Sequence, residues 1–174
     1  MRVNDGDING LKIIQLDVFR DLRGQYVEYY NEKEYSLPFV TDCISHSVKD
    51  VIRGLHGDFR TTKLISCVYG SIQYVALDIR KESPTFGSVQ EIALSMGSGL
   101  QILVPSGCVQ GFLCLSDECL FYYKQNVYYE GMDKQVTIQY NDPSLGIKWK
   151  CDNPIVSDRD KNGLSWSLFK EFPQ

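Results

Sequence analysis

Apolar positions along the chain fall into short runs rich in Val, Ile, Tyr and Phe, cut by turn residues, with almost no helical periodicity. Such runs predict strands at Leu11–Leu16, Tyr26–Tyr30, Lys63–Tyr69, Ile72–Ile79, Val89–Leu94, Leu100–Val104, Gly111–Leu115, Cys119–Lys124 and Gln135–Tyr140. Between them stand Arg23-Gly24, Tyr69-Gly70-Ser71, Ser83-Pro84-Thr85-Phe86-Gly87, Met96-Gly97-Ser98-Gly99, Pro105-Ser106-Gly107 and Ser116-Asp117, whose Gly, Pro and Asx content suits turns. The spacing predicts an all-β fold, a sandwich or barrel of antiparallel strands. In Ile72–Ile79 both alternating sets are apolar, which predicts core on one side and a filled lumen or a subunit contact on the other. The tail from Ser157 to Phe169 fits one or two helical turns. No repeat, low-complexity stretch or long linker interrupts the pattern, so residues 1–174 are expected to form one domain.

Composition narrows the class. A chain of 174 residues with 43% hydrophobic residues can bury a core without covalent staples, which excludes a disordered or collagenous protein. The net charge of -4 argues against a nucleic-acid backbone as the main partner, so an anionic ligand must be held by a few placed cations. Met1 to Gly10 is polar and reads as no secretory signal. No run approaches the ~20 apolar residues that span a bilayer. The cysteines (Cys43, Cys67, Cys108, Cys114, Cys119, Cys151) form no CxxC pair and mostly sit in strand-like surroundings. Buried free thiols and a reduced, cytoplasmic protein are expected, rather than a disulfide scaffold or zinc ribbon.

Candidate chemistry is sparse. The chain has two histidines, His46 and His56, and no HxH pair, whereas a catalytic metal takes at least three protein ligands, so no metal is expected. Alone, His56 reads as a structural or surface histidine. Its setting Arg53-Gly54-Leu55-His56-Gly57-Asp58 gives it room to face a ligand beside an arginine whose planar fork suits a diphosphate. Asp160 is a candidate carboxylate partner, although no spacing brings it near His56. Phe121-Tyr122-Tyr123-Lys124 reads first as alternating strand faces, with Phe121 and Tyr123 on one and Tyr122 and Lys124 on the other. The cluster from Asp21 to Glu28 reads first as a hairpin turn with solvated charges.

An ordered series of segments nonetheless resembles one family. Asp21-Leu22-Arg23-Gly24, Ile52-Arg53-Gly54-Leu55-His56, Lys63-Leu64, the stretch from Asp78 to Gly87, Val104-Pro105-Ser106-Gly107 and the stretch from Asn141 to Trp149 are similar to dTDP-4-dehydrorhamnose 3,5-epimerases, from about Val18 to Asp160. The resemblance implies a cupin-type jelly roll (double-stranded β-helix) without metal or cofactor. It implies a homodimer that exchanges or abuts N-terminal strands, and epimerisation at C3, C5 or both of a nucleoside-diphosphate 4-keto-6-deoxy sugar for surface polysaccharide. By the same resemblance His56 matches the base, Asp160 the carboxylate that orients it, Tyr123 the acid and Lys63 the support of the enolate oxygen. Arg53, and Arg23 from the partner subunit, match diphosphate contacts. Glu28 and an aromatic at Tyr26 or Tyr129 match nucleobase contacts, and Arg159 a basic residue near the phosphates.

Departures concern the substrate. Gln110 stands where the family usually has a second histidine; its amide can hydrogen-bond a sugar but carries no charge. Thr41-Asp42-Cys43 and Gly57-Asp58 also differ from the family pattern. The segments from Arg53 to Gly70 and from Asn153 to Asp160 are more similar to a branch acting on GDP-linked 4-keto-6-deoxy-heptoses in capsule synthesis, with a thymidine-linked hexose as the other reading. A 3,4-ketoisomerase and a cupin that only binds sugar nucleotide are the alternatives outside the epimerases.

Overall fold

The computed structural model describes residues 1–172. Its strands are β1 (Arg2–Asp5), β2 (Lys12–Gln15), β3 (Val18–Asp21), β4 (Gly24–Val27), β5 (Thr41–Val48), β6 (Ile52–Gly57) and β7 (Lys63–Tyr69), followed by β8 (Ser71–Asp78), β9 (Val89–Ser95), β10 (Leu100–Val104), β11 (Cys108–Cys114), β12 (Glu118–Gln125) and β13 (Val136–Thr137). Two antiparallel sheets face each other, one ordered β1-β2-β10-β7-β12-β5 and the other β13-β6-β11-β8-β9, and β3 with β4 forms a separate hairpin. This is the jelly roll the resemblance implied.

The alternating strands bury one row of side chains between the sheets. Ile65, Cys67, Ile102 and Phe121 from one sheet meet Ile72, Tyr74, Ala76, Phe112 and Cys114 from the other. The second apolar row of β8, Val75 and Leu77, points the opposite way and packs with Ile79 under Trp166 and Phe169. Both aromatics belong to α2 (Trp166–Glu171), capped by Ser165, while the preceding α1 (Asp158–Lys161), capped by Ser157, lies against β6. The far side of β8 is therefore closed by the chain's own tail and not by a subunit contact.

Some expected strands shift. Tyr26–Tyr30 is strand only as far as Val27, and Gln135–Tyr140 shrinks to Val136–Thr137 with a single bridge from Ile138 to Leu164. β1, β3, β5 and β6 were not predicted. No helix among the described residues is long and apolar enough to cross a membrane.

Candidate active site

β6 carries two of the predicted residues, and its irregularity aims both of them. Opposite β11, Gln110 pairs with His56 and Phe112 with Arg53, so Gly54 and Leu55 together face the single Gly111. This bulge changes the side-chain alternation, and Arg53 and His56, three positions apart, come to line one cavity. Only glycine fits at position 54. Its φ is +131, and a Cβ there would lie 2.5 Å from Gly111 Cα.

The tail supplies the carboxylate. Ile155 bridges Val51 in parallel, with Ile52 N donating to Ile155 O at 3.0 Å, so the segment leading to α1 runs beside β6. Asp160, buried on α1, then meets His56: Oδ1 lies 2.6 Å from Nε2. Its Oδ2 accepts from Gly54 N at 3.2 Å. Burial raises the Asp160 pKa, but the bonds from His56, Gly54 and Ser157 outweigh it and hold the carboxyl below its ordinary value. An ionised carboxylate only accepts, so His56 Nε2 carries the proton of that contact, and in the neutral ring Nδ1 is the atom with the lone pair.

The cavity, about 120 Å³, is lined by Ser45, Arg53, His56, Lys63, Gln110 and Tyr123 over an aromatic floor of Phe112 and Phe121, whose rings stack at 4.4 Å. Lys63 opens β7, and its ammonium lies 5.3 Å from the Tyr123 ring centre without a hydrogen bond or ion pair to any described residue. Burial lowers its pKa, against the pull of Asp58. Tyr123 points inward with Phe121, as the alternation predicted. Burial, with Cys43 and Tyr129 close by, pushes its phenol up to about 12, so it keeps its proton through the neutral range. Arg53 is tethered by Nε to Ser47 Oγ at 2.9 Å and by Nη2 to His46 O at 3.0 Å.

Other predicted residues lie at or beyond the rim. Arg159 is held by Thr137 Oγ1 and Gln135 Oε1, both at 3.1 Å. Exposed Tyr129 lines a neighbouring hollow with Asp58 and Arg60. Tyr26 and Glu28 line a separate cavity of about 270 Å³ with Tyr30 and Tyr35, and Arg23 lies at the hairpin tip, paired with Asp21 at 2.6 Å. None of these three residues lines the His56 cavity of its own chain.

The departures divide in the same way. Asp42 is on the outer face, bound by Lys124 and by Tyr122 Oη at 2.7 Å, and Asp58 closes a turn by accepting from Arg60 N and Thr61 N. Cys43 and Gln110 face inward. Sequence reasoning missed Ser45, Ser47 and Tyr74, which share the strand alternation and carry no motif. His46 is exposed beside Glu118, and among the described residues no three His, Cys, Asp or Glu side chains gather as a metal would require.

A chamber holding a lone pair on imidazole, a protonated phenol and an unpaired ammonium is equipped to take a proton from carbon and return one. Fold and site together define a jelly-roll isomerase that works by proton transfer. The family model for dTDP-4-dehydrorhamnose 3,5-epimerase matches residues 5–167. The dTDP-4-dehydrorhamnose 3,5-epimerase of Shigella flexneri is 40% identical over 94% of each chain. Among solved structures, the enzyme of that name from Elizabethkingia anophelis NUHP1 superposes with a TM-score of 0.87 at 36% identity, covering 96% of this chain and 97% of its own. A Legionella pneumophila dTDP-6-deoxy-D-glucose-3,5-epimerase, solved with dTDP-4-keto-L-rhamnose, gives 0.89 at 32% identity, covering 99% and 94%. The chain belongs to the dTDP-4-dehydrorhamnose 3,5-epimerase family. It is an epimerase of nucleotide-sugar biosynthesis, and neither the ketoisomerase nor the binding-only alternative is favoured.

Proposed function

We propose that the protein epimerises a dTDP-linked 4-keto-6-deoxyhexose, with His56 as base and Tyr123 as acid. The observation that carries this reading is the 2.6 Å contact between His56 and Asp160 on a cavity that also holds Tyr123 and the unpaired Lys63. His56 Nδ1 takes the proton from a carbon next to the C4 ketone, and the C–H electron pair becomes the enolate double bond as charge moves onto the C4 oxygen. Asp160 stabilises the imidazolium, and Lys63 stabilises the oxyanion. Tyr123 then gives its phenolic proton to the opposite face of the same carbon, inverting it; Tyr123 regains a proton from solvent and the His56 imidazolium releases one to it. Arg53 and Arg159 are assigned to the diphosphate, Gln110 to the sugar and Tyr129 to the nucleobase.

The remaining assignments require a homodimer. Arg23 of the partner subunit reaches the diphosphate, and Tyr26 and Glu28 serve the nucleobase from the hairpin side. The β3–β4 hairpin supports this by leaving Phe19, Leu22 and Tyr26 mostly exposed, an apolar tip that a second copy would cover. Six free cysteines fit a reduced, cytoplasmic setting.

Thymidine-linked substrates are favoured by the names of the relatives. Gln110, which lines the cavity, keeps a GDP-linked heptose as the second substrate. Incubation in deuterium oxide with each 4-keto-6-deoxy sugar nucleotide, read by NMR and mass spectrometry, tests both. Label at C3, C5 or both is expected, and His56→Asn abolishes it; exchange retained in that variant removes His56 as the base.

A further inference from the structure

Gln110 lies on β11 across from His56 and is 8% exposed, yet its Nε2 has no partner among the described residues. Its Oε1 is taken by the hydroxyl of Tyr74, which approaches diagonally from β8. Tyr74 is fully buried and Gln110 is the one hydrogen-bond partner of its hydroxyl among the described residues. If the amide were reversed, Nε2 would donate to the Tyr74 oxygen and the phenolic proton would be stranded in an apolar core without an acceptor. Tyr74 therefore donates, Gln110 Oε1 accepts, and the NH2 group is the end left for the cavity.

We infer that Tyr74 sets the Gln110 amide as a neutral hydrogen-bond donor to the C4 oxygen of the sugar, a second donor that strengthens as the ketone becomes an enolate. The inference rests on the proton-transfer reading of the cavity given above. A ketone oxygen has lone pairs and no proton, so a donor-only group suits it and an acceptor opposes it. Lys63 supplies charge to the same oxygen, and Gln110 adds direction without a second positive charge beside the His56 imidazolium. Gln110 is thus a catalytic residue, and Tyr74, which touches no substrate, is its positioning residue.

The test is steady-state kinetics and deuterium exchange on the full chain with the 4-keto sugar nucleotide it turns over. Gln110→Glu keeps the size and the bond from Tyr74 but turns the cavity-facing atom into an acceptor. A loss of about a hundredfold in kcat with KM within threefold is expected, the scale of one oxyanion donor. Gln110→Leu should lose about the same, and Tyr74→Phe about tenfold, because the amide is then free to turn. In the Gln110→Leu background, adding Tyr74→Phe should change kcat no further, which separates positioning from a general structural effect. Thermal melts identify any variant that is merely unfolded, and either Gln110 variant then suffices. A Gln110→Glu enzyme within threefold of the parent kcat overturns the donor role. An undiminished Tyr74→Phe effect in the Gln110→Leu background overturns the positioning role. Those results with exchange intact in the parent fall on this inference alone, whereas no exchange in the parent overturns both readings.

Discussion

Replacing Asp160 by asparagine should disable the base by changing which of its nitrogens carries the proton. Two donors hold opposite oxygens of the carboxylate: His56 Nε2 lies 2.6 Å from Oδ1 and Gly54 N 3.2 Å from Oδ2, with Ser157 beside them. An amide has one acceptor atom to offer these two donors. The Gly54 N–H is fixed by the bulged backbone, so the amide oxygen must stay there and its NH2 must turn to His56. Nε2 then becomes the acceptor, the ring proton moves to Nδ1, and the lone pair that faced the substrate is lost. Tautomer inversion of this kind costs about 10⁴ in kcat in a catalytic triad, or about 5 kcal/mol at 1.36 kcal/mol per decade. Washout of substrate deuterium into water, followed by NMR, measures the step directly. A variant that is folded and within tenfold of the parent rate would refute the tautomer argument. The same substitution reports on stability: a carboxyl whose pKa is lowered by folding stabilises above its unfolded value of 3.8, and that contribution is lost as pH falls through the lower, folded-state value. The melting-temperature gap between parent and Asp160→Asn should be open at pH 7 and close as acid titrates the parent carboxyl.

Tyr123→Phe should slow net inversion by 10²-fold or more, on the order of a lost general acid, while leaving washout on the His56 face; inversion at the parent rate, read by product NMR, would assign the acid elsewhere. The alkaline limb of the rate profile should lie below pH 10.5, because the lowered pKa of Lys63 is crossed before that of Tyr123 at about 12; a limb above pH 11 would show that the Lys63 charge is not needed. Gly54→Ala places a Cβ 2.5 Å from Gly111 Cα at a φ of +131. It should destabilise by about 3 kcal/mol and depress exchange, and a melting temperature unchanged within a degree would contradict the bulge geometry.

How much of this was legible in the sequence depended on which side chains a strand turns inward. β7, β8, β11 and β12 alternate or run apolar because their inner rows fill the space between sheets, so the period-2 signal found them. β5 turns Cys43, Ser45 and Ser47 inward, toward the end of the barrel where the cavity opens, and reads as a polar stretch. β6 holds two glycines and a bulge, features that weaken a strand signal and that here bring Arg53 and His56 to one wall. β1 has four exposed residues and no buried face at all. The site residues themselves came from the family resemblance, and the structure adds what spacing could not: the Ile155–Val51 bridge that carries Asp160 across 104 positions to His56, and the core tyrosine that orients Gln110. Where a barrel ends in a working cavity, small, polar and glycine residues replace the apolar row, so the departures from strand pattern that hid β5 and β6 are the substitutions that make room for a sugar.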